Sequence, residues 1–171
     1  PKFPKMAVLV LAKAEPARVA RYLEPGVPRR VRFEAALQLA KRSKDEALLE
    51  PASVVLMNDF DGVERSLRLA AIRALCKVSP GVQVDGLAEF AARSMELRGS
   101  AEGLAAVDLA AARGMTATLA EAVRRVVNRR AAPADDDQFE TALAAARRLP
   151  GVGDGASRAL ALLNILDERL F

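Results

Sequence analysis

A four-residue segment recurs along this chain at nearly constant spacing, and it limits the possible folds more than any other feature. The four copies are Glu34–Leu37, Leu69–Ile72, Leu104–Val107 and Glu140–Leu143, whose first residues are 35, 35 and 36 positions apart. In every copy the third residue is alanine and the fourth is a branched aliphatic residue. Small residues at fixed places let neighbouring helices approach closely, so this period predicts stacked helical units.

The sequence between the copies also has helical character. Alanine and leucine recur at three- and four-residue spacing, and no segment has the alternation of a strand. Start and stop signals predict a second helix in each unit, over residues 45–58, 86–98, 116–129 and 155–170. Within the first of these, Ser43 and Glu46 predict a capping box and Pro51 predicts a break or kink.

These patterns predict an all-α fold. We expect an α-solenoid of about four antiparallel helix pairs with a period of about 35 residues, because one pair cannot bury its apolar face alone. Residues 28–171 form the expected helical-repeat domain. Residues 1–27 form an expected basic N-terminal helical extension.

The composition excludes several kinds of chemistry. The 171-residue chain has no histidine and a single cysteine, Cys76. It therefore has no Ser-His-Asp or Cys-His catalytic set, no His-ligated zinc and no internal disulfide. No pair of carboxylates stands out either, and Asp59/Asp61 and Asp135–Asp137 are explained as acidic helix starts. We predict a protein that is not an enzyme and has no metal or cofactor.

The hydrophobic runs are short. The longest, Met6–Ala12, is far below the ~20 residues that cross a bilayer, so no membrane span is expected.

Positive charge is concentrated in the first third of the chain. Residues 1–44 hold 11 Lys/Arg and three Asp/Glu, whereas residues 45–171 hold 15 and 19. Such asymmetry indicates a polyanion contact at one end, with a solvated helix face as the alternative. Two further arginines, Arg124 and Arg125, lie near the end of a predicted helix. The candidate contact residues are Arg29, Arg30, Arg32, Lys41, Arg42, Lys44, Arg124 and Arg125.

The second unit carries a family resemblance. Residues 71–77 (AIRALCK), 87–90 (LAEF) and 95–99 (MELRG) resemble a pentatricopeptide repeat, a relative of the tetratricopeptide class. Residues 141–147 and 158–163 resemble the same scheme in the last unit, while the first and third units match in their leading helix. The resemblance implies a right-handed superhelix of antiparallel helix pairs, in proteins that are mostly mitochondrial or plastid and often bind RNA.

The same resemblance bears on how RNA would be contacted. It implies that a polar residue on each first helix selects the base, and Leu69 and Glu140 occupy that position here. Leucine cannot hydrogen-bond a base edge and glutamate repels phosphate, so base selection is not favoured. Degenerate repeats of this class also serve as architectural subunits of organellar ribosomes and other large assemblies.

One short segment indicates a different function. Leu149–Gly153 (LPGVG) resembles the hairpin of helix-hairpin-helix DNA-binding modules, in which glycine amides hold a phosphate. Gly151 and Gly153 would form that phosphate site, within a module spanning residues 149–160. The alternative, which we favour, is an interhelical turn followed by Asp154 as an N-cap.

The preferred interpretation is a non-catalytic scaffold or adaptor subunit of a larger RNA-containing organellar assembly, such as an organellar ribosome. Its expected partners are other protein subunits and structured RNA, and its expected location is the mitochondrion or plastid, otherwise the cytoplasm. The alternatives are a free RNA-binding pentatricopeptide-like protein and the DNA-binding hairpin module.

Overall fold

The structure is a computed structural model that describes residues 15–96, 100–127 and 136–149. Over these residues the chain forms eight α-helices and two 3-10 turns, Arg21–Leu23 and Phe60–Gly62, without a β-strand. The all-α prediction is confirmed for this part of the chain. The helices are α1 (Pro16–Ala20), α2 (Arg29–Arg42), α3 (Glu46–Asn58), α4 (Arg65–Leu75), α5 (Leu87–Met95), α6 (Ser100–Ala112), α7 (Thr116–Val127) and α8 (Asp136–Arg148).

The recurring four-residue segment falls on every second helix from α2 to α8. Its third-position alanines are almost completely buried, with exposed fractions of 0% for Ala36, Ala71 and Ala106 and 1% for Ala142. Because a methyl side chain is short, burial at these positions requires another segment to approach the helix backbone closely. The repeated alanines are therefore packing positions on α2, α4, α6 and α8.

The chain divides into two compact units, residues 1–87 and residues 88–171. In the first unit α2 is central, and it packs against α1, α3 and α4. The core of this unit consists of fully buried aromatic and aliphatic side chains from these helices and from the turn after α3. They are Val19, Phe33, Leu39, Leu56, Phe60, Ile72 and Leu75.

Contacts between helix ends define how α2 lies among its neighbours. Arg32, near the start of α2, binds Asp59, the residue that follows α3. Arg30 Nη2 lies 3.7 Å from an Oε of Glu64, the residue before α4. The start of α2 is therefore beside the end of α3 and the start of α4.

In the second unit α6 packs against α7 and α8, and α7 packs against α8. Gly103 of α6 faces Thr141 of α8, and a Cβ placed on Gly103 would overlap Thr141 Oγ1 and lie 3.2 Å from Thr141 Cγ2. Further along the same two helices, Arg148 Nη1 lies 2.6 Å from Asp108 Oδ1. The two contacts occur in the same order along both helices, so α6 and α8 run in the same direction. The absent side chain at Gly103 permits their closest approach.

The predicted capping box of α3 is wrong, and so is a break at Pro51, while a kink there stays a prediction. The N-cap is Asp45 rather than Ser43, because the Asp45 carboxylate accepts a hydrogen bond of 3.0 Å from the Ala47 N–H. The Ser43 hydroxyl instead accepts from the Asp45 N–H at 3.1 Å. The helix also continues through Pro51 without a break. Pro51 and Ala47 are both exposed, so water can reach the Ala47 carbonyl that lacks its intrahelical donor.

The contact between α6 and α8 leads to a stability prediction. Gly103→Ala is expected to lower the free energy of unfolding by about 1–3 kcal/mol because the new methyl group collides with buried Thr141. Helix propensity alone would change stability by about 1 kcal/mol in the opposite direction. Urea unfolding of the purified chain measures the difference.

The matched control removes the obstacle. Thr141→Ala deletes the Oγ1 and Cγ2 atoms that the new methyl group would meet, so the double variant should recover most of the lost stability. Equal stability of Gly103→Ala and wild type, or additive effects in the double variant, would contradict a close contact at this site.

Candidate nucleic-acid interface

The structure separates the predicted cationic residues into three groups. Arg29, Arg30 and Arg32 lie in the first turn of α2. Lys41 and Arg42 lie in its last turn, with Lys44 in the loop that follows. Arg124 and Arg125 lie in the last turn of α7, in the other unit. The first two groups are thus at opposite ends of one helix, and each group has different surroundings.

Arg32 is bound within the protein. Its Nε and Nη2 each donate a hydrogen bond of 2.7 Å to the Asp59 carboxylate, and Nη1 donates to the Pro25 carbonyl at 3.1 Å. The Arg32 side chain is 19% exposed and that of Asp59 is 5% exposed. The hydrogen bonds to Asp59 are the main reason that the pKa of Arg32 is raised. Arg32 therefore joins α2 to the end of α3 and has little surface left for a ligand.

The other two arginines of this turn also have acidic neighbours. Arg29 Nε lies 3.6 Å from Asp59 Oδ1. Arg30 lies 3.5 Å from Glu34 and 3.7 Å from Glu64. Both arginine side chains are about 60% exposed, so they can be reached by a partner. The carboxylates beside them offset much of their positive charge.

The arginines of α7 have a similar environment. Arg124 pairs with Glu121, and Arg125 pairs with Glu121 and with Glu96, which directly follows α5. Spacings of three and four residues bring side chains together on a helix, so the pairs with Glu121 are readable from the sequence. The pair with Glu96 connects α7 to α5. This group is therefore an ionic connection within the second unit.

The end of α2 has a different electrostatic environment. Burial lowers the pKa of Lys41, and repulsion from Lys77 and Arg42 lowers it further. Arg42 Nε donates a hydrogen bond of 3.2 Å to the uncharged Gln38 Oε1. Among the described residues, no ion pair involves Lys41, Arg42, Lys44 or Lys77. We call Lys41, Arg42 and Lys77 the basic cluster.

Lys77 was not among the sequence-predicted residues, although the repeat could have identified it. It lies two residues after the end of α4 and 35 positions after Arg42, which is one repeat period. The equivalent positions in the next two repeats are Ala112 and Arg148. The repeat period, rather than a local run of charge, is thus the sequence signal that relates Lys77 to the end of α2.

Acidic residues also occur at this end of the first unit. Asp45 and Glu46 follow Lys44 at the start of α3. The Asp45 carboxylate is engaged as the N-cap, and Glu46 Oε1 lies next to Gly81, in the loop after α4. At these positions the negative charges interact favourably with the positive N-terminal end of the α3 dipole. The Asp45 carboxylate is therefore engaged by α3, while the Glu46 side chain faces the loop after α4.

The surroundings of the cluster can bind phosphate more readily than they can read bases. Phe33, Phe60 and Phe90 are buried, and Tyr22 and Phe139 are half-buried, so no described aromatic ring is fully available for stacking. Leu69, the position that the family resemblance assigns to base selection on α4, is half-buried and aliphatic.

The second unit contains a cavity of about 130 Å³ between α5, α7 and α8. Its wall combines small and apolar side chains with Glu96, Glu121 and Arg125. Arg125 pairs with both glutamates. The cavity therefore has apolar surface next to charged groups that are already paired.

Other predicted features have simpler outcomes. Gly151 and Gly153 lie outside the described residues. Over residues 15–96, 100–127 and 136–149, no group of three or more His, Cys, Asp or Glu side chains is arranged to hold a metal ion. In the same ranges no helix has the length and apolar character that a membrane crossing requires.

Comparisons of the chain with protein-family models, curated proteins and solved structures give no match. The pentatricopeptide resemblance therefore rests on the residues of this sequence.

The Arg32–Asp59 pair leads to a second stability prediction. Arg32→Gln is expected to lower the free energy of unfolding by about 2–3 kcal/mol, because it leaves the buried Asp59 carboxylate without its main donor. Arg30→Gln is the control, since Arg30 makes longer ion pairs at an exposed position and should change stability by less than about 1 kcal/mol. Equal losses of unfolding free energy in the two variants, measured in urea, would show that the buried pair stabilises the fold no more than the exposed pairs do.

The lowered pKa of Lys41, caused first by burial and then by repulsion from Lys77 and Arg42, leads to a prediction of pH dependence. At neutral pH Lys41 is protonated in both the folded and the unfolded chain, so its unfavourable surroundings reduce stability in full. As the pH rises from the lowered pKa to the ordinary lysine value of 10.5, the folded chain loses this proton first and its stability increases. Lys41→Gln should thus be more stable than wild type at neutral pH, with a difference that shrinks as the pH approaches that ordinary value.

Denaturant unfolding of both chains across this pH range measures the effect. Lys41→Arg is the control, because arginine stays charged throughout and should retain the unfavourable interaction. A stability difference between wild type and Lys41→Gln that does not vary with pH would contradict a lowered pKa of Lys41 in the folded chain.

Proposed function

We propose that this protein is a non-catalytic helical-repeat scaffold, a subunit or adaptor of a larger RNA-containing assembly. The observation that carries the proposal is the burial of the third-position alanine on each of α2, α4, α6 and α8. Four equivalent packing positions, one on every second helix, are what a repeat with a period of about 35 residues requires.

The contacts between helix ends support a repeated hairpin arrangement. The start of α2 binds the residue after α3, as expected for an antiparallel pair. The starts of α2 and α4 meet through Arg30 and Glu64, as expected for the first helices of successive pairs. In the second unit, the two contacts between α6 and α8 occur in the same order along both helices, as expected for the first helices of successive pairs. The proposed architecture is therefore an α-solenoid of antiparallel pairs.

Repeats of this kind present extended surfaces for other macromolecules. The proposed partners are protein subunits and structured RNA, because the exposed basic residues of the first unit favour a polyanion. The family resemblance of the second repeat supports an organellar assembly, in the mitochondrion or plastid, with an organellar ribosome as the leading example.

Sedimentation of a native extract tests the proposal. The chain, 18.3 kDa by itself, is expected to sediment with a particle many times its mass and to move to lighter fractions after treatment with RNase. DNase treatment of the same extract is the matched control and should leave the sedimentation unchanged.

Two results would count against the proposal. Sedimentation as a free 18.3 kDa chain, with or without RNase, would overturn the role in a large assembly. A large particle that resists RNase but loses the chain after DNase would overturn the RNA partner and favour the DNA-binding alternative.

A further inference from the structure

We propose that Lys41, Arg42 and Lys77 form a binding site for the phosphodiester backbone of RNA, and that this site does not select a base sequence. The inference rests on the proposed association with RNA and specifies how this chain contacts it. Arg29, Arg30, Arg32, Arg124 and Arg125 do not belong to this site, because each of them pairs with carboxylates of the protein.

The ends of α2 and α4 carry the three cations of the cluster. Lys41 and Arg42 occupy the last turn of α2, and Lys77 lies just beyond α4, which packs against α2. Because the starts of α2 and α4 meet through Arg30 and Glu64 and the two helices pack against each other, their ends also lie on the same side of the unit. Packing of successive repeats thus gathers cations that are far apart in sequence onto one end of the unit.

Bringing these cations together costs electrostatic energy. A cation in the last turn stabilises its own helix by interacting with the negative end of the dipole. That effect accounts for Lys41 and Arg42 separately, but it does not require the cations of two helices to approach one another. Their mutual repulsion is relieved when an anion binds between them, and a phosphate supplies both the charge and the hydrogen-bond acceptors.

The side chains of the cluster recognise phosphate rather than bases. Ammonium and guanidinium groups bind phosphate oxygens whatever the base, whereas sequence readout needs stacking or base-edge hydrogen bonds. Leu69, the base-selecting position implied for α4, has an aliphatic side chain, and the described aromatic rings are buried or half-buried. The chemistry at this site therefore favours contact with the RNA backbone alone.

The test uses the purified full chain with 20-nucleotide oligo(U), 20-nucleotide oligo(C) and inorganic polyphosphate. The triple variant Lys41→Gln, Arg42→Gln and Lys77→Gln removes the cluster without adding negative charge. We expect its affinity for either RNA to fall on the order of tenfold or more near 0.1 M salt. Because the variant can neutralise about three fewer phosphates, the slope of log affinity against log salt should become shallower by about 2.

Wild type should bind both RNAs within about threefold of each other, and polyphosphate should compete with them.

The control has the same net charge as the triple variant. Replacing Arg29, Arg30 and Arg124 by Gln also removes three positive charges, but from residues paired with carboxylates. Its affinity should fall by less than about threefold. Lys77→Gln alone, at an exposed position outside the helices, is a second variant that leaves helix formation undisturbed. Its salt slope should become shallower by about 0.7.

Three results would overturn the inference. They are equal reductions of affinity in the triple variant and its control, unchanged binding by Lys77→Gln, and a preference of more than about tenfold between the two RNAs. Failure of this inference differs from failure of the proposed function. A triple variant that still enters the RNase-sensitive particle as wild type does would leave the scaffold role intact and remove the basic cluster from it.

Discussion

Close approach of helices at alanine positions is the constraint on which the rest of this structure depends. A helix that buries a methyl group must bring its backbone near a neighbour, and the burial of Ala36, Ala71, Ala106 and Ala142 places such a contact on every second helix. Gly103 extends the same principle, since the α6 backbone meets the side chain of Thr141 directly. Bulky residues then fill the space around these contacts, as Phe33 and Leu39 do in the first unit. Both the period of the sequence and the packing of these helices reflect the need for small residues where helices approach closely.

The polar interactions follow from that packing. Once α2 lies against α3 and α4, the cations at its start meet Asp59, Glu34 and Glu64, while those at its end meet another cation. The same helix therefore has one electrostatically satisfied end and one unsatisfied end. The proposed contact with RNA is based on this asymmetry rather than on the total charge of +4.

Sequence reasoning recovered the features that depend on local pattern. The helices, the alternation of repeat-bearing and intervening helices, and the absence of strands in the described residues all follow from apolar spacing and helix signals. The capping residue of α3 was missed because Asp45 and Ser43 are both good caps, and the choice depends on backbone geometry. The continuation through Pro51 was missed because it depends on which side of α3 faces water. The candidate site was predicted less completely, because the availability of an arginine depends on carboxylates that are distant in sequence. Asp59, for example, lies 27 residues after Arg32.

The pairing of Arg32 with Asp59 has a consequence for motion. The loop at residues 43–45 joins the end of α2 to the start of α3 through the chain itself, and the ion pair ties their other ends together. Fraying of either helix from this end would break the Arg32–Asp59 pair, so separate opening of the two helices is less favourable than opening together. Their amide hydrogens would then exchange with solvent as one cooperative block, and that rigidity would hold Lys41 and Arg42 at a fixed place on the surface.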